Sequence, residues 1–254
     1  MGEDRGEMKE IPHILHYCWF GNSQKPKSVQ KYIDNWHKML PDYQFMEWNE
    51  ANCNLENEID YVKEAYQSKK YAFVSDYIRI KKLYEYGGIY FDTDVKVLRR
   101  FDKYLESNQV VLGFQGTGNL GTAFIATVAH HPLFERFLED YETRHFIMED
   151  GSLDQTSINV KLDPLVESYG LDINRDELQN ISEGITVYPT EYFCAFDIEN
   201  WHPVATEKTC TVHYMASSWK SVKTKFKIKV IKFVVLIIGA SNYDRLRKTL
   251  KNKK

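Results

Sequence analysis

The sequence has few cysteines, and they lie far apart. Cys18, Cys53, Cys194 and Cys210 form no C-x-x-C pair and no closely spaced set in a short chain. Small disulfide-rich secreted proteins and zinc ribbons both require such spacing, so the sequence argues against either class. We therefore expect reduced thiols in a cytoplasmic protein.

Long apolar runs are also lacking. The longest, residues 233–238, has six residues, whereas a transmembrane helix needs about eighteen or more. The start of the chain, MGEDRGEMKE, lacks the apolar stretch of a signal peptide. We interpret residues 1–10 as a disordered N-terminus or an expression remnant, and we expect no membrane-spanning segment.

A strong overall charge is absent, but the charge is unevenly distributed. The formal net charge is −3, yet residues 220–254 contain twelve Lys or Arg against one Asp. The rest of the chain is therefore acidic and would repel nucleic acid, so we expect no nucleic-acid partner. Lysines that alternate with apolar residues, as in KTKFKIKVIKF, indicate either a helix on an anionic membrane surface or a C-terminal helix with a solvated lysine face. We predict a domain of residues 11–219 and a basic amphipathic tail of residues 220–254.

The residues able to carry chemistry concentrate in residues 71–94, YAFVSDYIRIKKLYEYGGIYFDTD. Apolar side chains at helical spacing predict an amphipathic helix, and Gly87 and Gly88 predict its end and a sharp turn into a strand. The strand ends at Asp92 and Asp94. In an extended chain, residues two apart point to the same side, so we expect the two carboxylates to converge. Such an arrangement is costly unless a cation lies between them.

Helices and strands alternate along the rest of the chain. The pattern predicts a single α/β domain, and in open α/β sheets ligands bind at the carboxyl ends of the strands, where Asp92 lies. We expect residues 150–161 to form a loop. Strands are predicted at residues 11–20, 43–48, 89–91, 109–114, 123–127, 185–188 and 209–214, and helices at residues 27–39 and 56–67, with another that begins at Pro132.

Four other residues are candidates for ligand binding, each with a structural alternative. Asp76 and Arg79, three residues apart, would share a helical face, where they form an ordinary ion pair or bind sugar hydroxyl and phosphate oxygens. Trp19 is either a core residue or a flat surface for stacking a nucleobase. Asn119, in the loop GTGNLG, either faces a sugar or is a turn residue.

Four motifs occur in a fixed order along the chain: IPHILHYCWFG, AFVSDYIR, GGIYFDTD and HYMASSW. Together they resemble glycosyltransferase family 32, a group of DXD-containing sugar transferases related to the yeast mannosyltransferases and the clostridial glucosylating toxins. The resemblance extends over about residues 11–219. Four motifs in the correct order are more specific than any one of them.

The resemblance implies a GT-A fold, a single Rossmann-like α/β domain in which helices flank a central mixed sheet. It also implies a nucleotide-sugar donor and a divalent cation, Mn²⁺ or Mg²⁺. By the same resemblance the metal ligands are Asp92, Asp94 and His213, with Asp94 the more direct one. The implied donor-binding residues are Trp19, Asp76, Arg79, Asn119, Asp92, Ser218 and Trp219, of which Asp76, Arg79, Asp92 and Trp219 are assigned to catalysis.

The expected activity is transfer of a hexose, with retention of anomeric configuration, to a glycan or lipid-linked glycan in bacterial capsular or cell-surface polysaccharide synthesis. UDP-galactose or UDP-glucose is the favoured donor and GDP-mannose the second choice. The expected location is the cytoplasm, with peripheral contact at the inner membrane face through residues 220–254. The sequence does not identify a nucleophile, although Asp154 is a candidate.

Two other classes of protein fit the same residues locally. Haloacid-dehalogenase-type phosphatases also place Asp-x-Asp after an apolar strand, and there Asp92 would attack phosphate while Asp94 acts as acid and base. A non-catalytic sugar-binding module would use the same pair to hold a structural cation. Neither alternative explains Trp19 or the late HYMASSW motif.

Overall fold

A computed structural model describes residues 10–116, 118–197 and 202–215, and residues 230–231, 233–235, 237–239, 242–243 and 245 of the C-terminal segment. The strands and helices, in chain order, are β1 (Ile14–Cys18), α1 (Lys27–Met39), β2 (Gln44–Trp48), α2 (Asp60–Gln67), α3 (Tyr71–Tyr86), β3 (Gly88–Phe91), β4 (Val95–Val97), β5 (Val110–Phe114), β6 (Leu120–Thr127), α4 (Pro132–Tyr141), α5 (Ile158–Glu167), β7 (Gln179–Ile181), β8 (Ile185–Tyr188), α6 (Thr190–Phe193), β9 (Phe196–Asp197), β10 (His202–Pro203) and β11 (Thr211–His213).

Seven of these strands form one mixed sheet, in the order β2-β1-β3-β6-β5-β8-β7. Strands β1, β2 and β3 are parallel, β6 runs antiparallel to both β3 and β5, and β8 is parallel to β5. The predicted α/β architecture, with a central mixed sheet and flanking helices, is confirmed.

Each face of the sheet is covered by its own apolar cluster. Alternate residues of β3 show the division, because Tyr90 belongs to the cluster that contains α2, α3 and α4, whereas Ile89 and Phe91 belong to the cluster that contains α1. The central strands β3, β5 and β6 are buried along their whole length. A strand buried on both faces ends at a fixed point, which gives the residues that follow it a rigid base.

The junction between α3 and β3 requires glycine. Gly87 and Gly88 have positive φ, and a Cβ on Gly88 would lie 2.5 Å from the Ile14 carbonyl oxygen. His16 fastens this junction to β1, since its Nε2 donates to the Gly87 carbonyl at 2.8 Å while its Nδ1 accepts from the Trp48 indole at 3.0 Å. Burial lowers the pKa of His16 to about 4, so the imidazole is neutral and has a structural role.

A second, smaller sheet lies beside the end of β3. Strands β4 and β11 pair antiparallel, with His213 opposite Val95. Helix α1 holds β4 in place, because the Trp36 indole donates to the Val95 carbonyl at 2.8 Å and Asn35 bonds both backbone groups of Val97. This pairing brings His213 next to the Asp92 turn, from which it is remote in sequence.

The sequence-based boundaries hold for most elements, and the main error is at α5. Residues 150–161 were expected to be a loop, but α5 begins at Ile158 and continues through Pro164. Its apolar residues Ile158, Leu162 and Val166 share one face and are buried, so tertiary packing outweighs the low helix propensity of this segment. None of the helices within the described residues has the length and apolar content needed to cross a bilayer.

Candidate active site

Asp92 and Asp94 lie in a tight turn directly after β3. The expected extended conformation is wrong here, because the Val95 amide donates to the Asp92 carbonyl at 3.0 Å and closes a turn. The carboxylates converge nevertheless. The Asp92 amide bonds the Ala123 carbonyl of β6 at 3.1 Å, and the Tyr214 amide bonds the Asp94 carbonyl at 3.1 Å. The turn is thus held on one side by β6 and on the other by Tyr214, the residue that follows β11.

His213 completes a group of three ligating side chains with Asp92 and Asp94. Its Nε2 lies 3.2 Å from Asp94 Oδ1 and 3.9 Å from Asp92 Oδ2, and one ligating atom from each residue falls within 4.8 Å of the others. Ligands of one cation at about 2.1 Å are separated by roughly 3 to 4.3 Å. Two carboxylates and an imidazole suit Mn²⁺ or Mg²⁺ in both chemistry and spacing. We refer to these three residues as the Asp92 cluster.

The cluster is shielded from solvent on the His213 side. The His213 side chain is 13% exposed, and its Nδ1 is buried without a hydrogen-bond partner among the described residues. Burial by itself lowers the pKa of His213, but the Asp94 and Asp92 carboxylates more than compensate, and the pKa is raised overall. The imidazole therefore lies in a strongly negative environment, which is also the environment that attracts a cation.

Arg79 connects α3 to the cluster. Its Nη2 lies 2.7 Å from Asp76 Oδ1, and its Nη1 lies 3.2 Å from Asp92 Oδ1 and donates to the Thr122 carbonyl at 2.8 Å. The ion pair that was the structural alternative for Asp76 and Arg79 is present and buried, and their predicted contacts with the donor stay a prediction. Burial raises the pKa of Asp76 to about 6 although Arg79 opposes the shift, so this carboxylate is ionised at neutral pH.

Tyr90 is a site residue that the sequence analysis did not single out. Its ring centroid lies 4.6 Å from the Arg79 guanidinium carbon, and its hydroxyl donates to Asp92 Oδ1 at 3.1 Å. Oδ1 of Asp92 is thus engaged by Arg79 and Tyr90, which leaves Oδ2 as the oxygen directed toward His213. The signal was available in the sequence, because residues 90 and 92 are two apart and point to the same side of the chain.

Trp19 leaves the sheet at the same edge as Asp92. Strands β1 and β3 are parallel, with His16 opposite Tyr90, so both chains end on one side. The Trp19 indole donates to the Ser23 carbonyl at 2.7 Å and borders a groove of about 600 Å³ that is also lined by Lys25, Asn49 and Glu50. The structure therefore places Trp19 beside a groove and partly exposed, as base stacking requires.

Asn119 lies on an exposed hairpin turn between β5 and β6. The Gln115 amide donates to the Asn119 carbonyl at 2.9 Å, and the turn is fastened by bonds from Gly118 to the Ile173 carbonyl and from Gly116 to Thr190 Oγ1. The turn begins β6, whose Ala123 contacts Asp92, so Asn119 lies at the same edge of the sheet. Asn119 is thus a turn residue, and its predicted contact with the nucleotide-sugar donor stays a prediction.

The candidate nucleophile Asp154 is engaged in an ion pair. Its Oδ2 lies 2.5 Å from Arg144 Nη2, and its Oδ1 accepts from the Thr156 amide at 3.0 Å. Arg144 in turn lies over the Tyr141 ring at 4.4 Å. Ser218 and Trp219, the other two predicted donor-binding residues, lie outside the described residues.

Comparison with known proteins supports the interpretation of these motifs. Residues 26–111 match the family model of the glycosyltransferase sugar-binding region containing DXD motif. The chain is 29% identical over 135 residues to mannosyl phosphorylinositol ceramide synthase of Saccharomyces cerevisiae, which covers 51% of this chain and 35% of that protein. It is 26% identical over 155 residues to inositol phosphoceramide mannosyltransferase 1 of Schizosaccharomyces pombe, which covers 56% of this chain and 47% of the relative.

These matches span less than half the length of either relative. Among solved structures, the PaToxG glycosyltransferase is similar over 54% of this chain and 61% of its own, with 18% identity and a TM-score of 0.45. The matched family region contains Asp76, Arg79, Asp92 and Asp94, and it confirms the resemblance seen in the motifs. Residues 26–111 are therefore similar to the DXD-containing sugar-binding region of glycosyltransferases.

Proposed function

We propose that this protein is a metal-dependent, retaining glycosyltransferase with a GT-A-type domain that moves a hexose from a nucleotide sugar to a glycan. The observation that supports this most strongly is the Asp92 cluster. It combines a ligand set for a divalent cation with the Asp76–Arg79 pair, at the carboxyl edge of the sheet where α/β proteins bind ligands.

In this proposal Mn²⁺ or Mg²⁺ is held by three side chains: Asp92, which would use Oδ2, Asp94 and His213. When bound, such a cation neutralises the charge that develops on the leaving nucleoside diphosphate. Arg79 keeps Asp92 in position and adds positive charge at the same point. Because Asp76, Asp92 and the Thr122 carbonyl fix its guanidinium, Arg79 needs little reorganisation when a phosphate or sugar oxygen approaches.

The donor is proposed to lie along the edge from Trp19 to the Asp92 cluster. Trp19 would stack on the base, Asp76 and Arg79 would contact the sugar and ribose region, and Asn119 would face the hexose. Ser218 and Trp219 are proposed to cover the diphosphate. This order follows the edge of the sheet, on which β1, β3 and the β5–β6 turn are successive neighbours of the site.

Retention requires either a carboxylate nucleophile or front-face attack guided by the leaving phosphate. The ion pair between Asp154 and Arg144 reduces the nucleophilicity of that carboxylate. We therefore propose front-face attack. Determination of the anomeric configuration of the product by NMR tests retention, and trapping of a glycosyl adduct on Asp154 would contradict the front-face route.

The proposed donors are UDP-glucose, UDP-galactose and GDP-mannose. The relatives named above are a mannosyltransferase and a mannosyl-lipid synthase, and they give mannose transfer equal weight with the two UDP sugars. The proposed acceptor is a glycan or lipid-linked glycan of a bacterial capsular or cell-surface polysaccharide. A cytoplasmic enzyme at the inner membrane face would meet such an acceptor.

One experiment tests the core of this proposal. The protein is incubated with Mn²⁺ and each nucleotide sugar, with and without glycan acceptors, and the released nucleoside diphosphate is measured. We expect release from one donor, abolished by EDTA and restored by Mn²⁺. Release of phosphate from a phosphomonoester alone would favour the phosphatase, and glycan binding without any donor cleavage would favour the sugar-binding module.

A further inference from the structure

The described residues near the start of the C-terminal segment form a helix that contacts the body of the protein through Ile231. The described residues between 230 and 238 are helical. At roughly 100° per residue, Ile231, Val235 and Ile238 share one side, and all three are partly buried. Ile231 packs against a buried apolar cluster of Ala195, Phe196 and Val212, of which Val212 lies in β11.

The opposite side of this helix is apolar and exposed. Val230, Phe233 and Ile237 share it at the spacing of one helical stripe. Their exposures are 45%, 63% and 64%, and no large apolar side chain among the described residues is more exposed than Phe233 and Ile237. A stripe of this kind indicates an interaction surface, because exposure of apolar area to water is unfavourable.

We propose that this stripe, Val230, Phe233 and Ile237, is the surface by which the enzyme lies in the headgroup region of an anionic membrane. Residues 220–254 contain twelve basic residues and one acidic one, whereas the rest of the chain is acidic. Apolar residues within a polybasic segment are typical of interfacial helices, which combine acyl-chain contact with attraction to anionic lipid. Pairing with a second copy of the chain is less favourable, because it would bring two strongly basic segments together.

The helix that carries the stripe packs beside the strand that carries His213. Ile231 packs against the buried cluster of Ala195, Phe196 and Val212, and Val212 precedes His213 of the Asp92 cluster in β11. The helix that carries the stripe and the strand that carries His213 therefore adjoin the same apolar cluster. A lipid-linked acceptor held in the membrane would approach the site from this side, a step that rests on the proposed function, whereas the membrane contact itself does not.

Vesicle sedimentation tests the contact directly. The full chain is mixed with vesicles of phosphatidylcholine alone and with vesicles that contain about one third phosphatidylglycerol, at low and high salt. We expect binding to the anionic vesicles, weakened by salt. The double variant Phe233→Asn/Ile237→Asn should bind about tenfold more weakly or worse, since two apolar anchors are lost.

A matched variant controls for loss of exposed apolar area elsewhere. Val160 and Leu178 are 59% and 52% exposed, and Val160→Asn/Leu178→Asn should bind the vesicles like the unmodified chain. Equal binding by Phe233→Asn/Ile237→Asn, or equal loss in the control, would overturn the proposal. So would a dimer that the first variant dissociates while no form of the protein binds vesicles.

Donor cleavage in solution, without lipid, separates the two proposals. Phe233→Asn/Ile237→Asn should cleave the donor at the rate of the unmodified chain, because the stripe lies outside the candidate site. If no donor is cleaved by any form but the vesicle results hold, the proposed function fails and the membrane surface stands. If donor is cleaved but the vesicles do not distinguish the variants, the membrane surface fails.

Discussion

Two groups of side chains in this protein each combine two aspartates and a histidine whose ligating atoms lie within 4.8 Å of one another. One is the Asp92 cluster, at the carboxyl edge of the parallel strands. The other, which we call the Asp42 cluster, consists of His13, Asp42 and Asp102 and lies at the opposite edge, where β1 and β2 begin. The same residue types thus occur at both ends of the sheet.

The two clusters differ in how a neighbouring arginine contacts their carboxylates. Arg100 lies 2.6 Å from Asp42 Oδ1 and 2.8 Å from Asp102 Oδ2, so one guanidinium bridges both carboxylates of the Asp42 cluster. In the Asp92 cluster the nearby guanidinium, that of Arg79, reaches Asp92 through Oδ1 and is shared with Asp76. Composition and proximity alone therefore do not identify a metal site, because a guanidinium can take the place of a cation between two carboxylates, as that of Arg100 does.

The largest expected effect comes from replacing one carboxylate in each cluster. Asp94→Asn should lower Mn²⁺-dependent turnover by about a hundredfold or more, because a metal ligand and its charge are lost. Asp102→Asn should leave turnover unchanged. Nucleoside diphosphate release measures both, and Mn²⁺ titration by electron paramagnetic resonance reports binding directly. Similar losses in the two variants would remove the distinction between the clusters.

The second effect is on stability and compares the two arginines. Arg79→Met leaves Asp76 and Asp92 without their buried partner, which should lower the free energy of unfolding by about 3 kcal/mol or more. Arg100→Met breaks exposed ion pairs with Asp42 and Asp102 and should change it much less. Urea unfolding at pH 7 measures the difference. A larger decrease in the free energy of unfolding for Arg100→Met would show that burial does not determine how much these ion pairs contribute to stability.

The third effect separates the two tyrosines that donate to the clusters. Tyr90 donates to Asp92 Oδ1 at 3.1 Å, and Tyr43 donates to Asp102 Oδ1 at 2.9 Å. Tyr90→Phe should lower the apparent affinity for Mn²⁺ by about tenfold, since Asp92 loses a group that orients it, with little change in kcat at saturating Mn²⁺. Tyr43→Phe should not alter Mn²⁺ dependence. An unchanged Mn²⁺ midpoint in Tyr90→Phe would exclude the orienting role.

Local sequence patterns predicted the elements whose ends are marked by strong signals. Helix α1 was expected and found at residues 27–39, because apolar residues at helical spacing are bounded there by Pro26 and Pro41. Strand β8, a short apolar run after Gly184, was also found as predicted. Helix α5 was missed, since its polar start and Pro164 obscure a pattern that tertiary packing then stabilises.

The site could be predicted only in part. The pairing of Asp76 with Arg79 follows from their spacing on one helix. Asp92 and Asp94 converge as predicted, but they do so in a tight turn and not in an extended chain. His213 lies far away in sequence, and it reaches Asp94 through β4 and β11, strands of three residues each, whose pairing no local pattern predicts. That residue was identified by the family resemblance.

The smallest expected effect concerns pH, and it has opposite signs on the two sides of the molecule. Burial raises the pKa of Asp163, which accepts from the Leu120 amide at the start of β6, to about 6. Its contribution to stability is therefore present below about pH 4 and is lost as the pH rises through 6. Hydrogen bonds from Arg100 lower the pKa of exposed Asp42 to about 2, so its contribution is present above about pH 4 and is lost toward pH 2.

The same substitution at the two positions should therefore produce opposite results. Asp163→Asn keeps an acceptor for Leu120 and removes the charge, so between pH 4 and 7 the variant should gain about 1 to 2 kcal/mol relative to the unmodified chain. Asp42→Asn should be less stable at pH 7, and the difference should shrink in acid. Urea unfolding of both variants at pH 4, 5, 6 and 7 gives, for each, the slope with pH of its free energy of unfolding relative to the unmodified chain. Slopes of the same sign would show that solvent exposure does not distinguish the carboxylates at the two edges of the sheet.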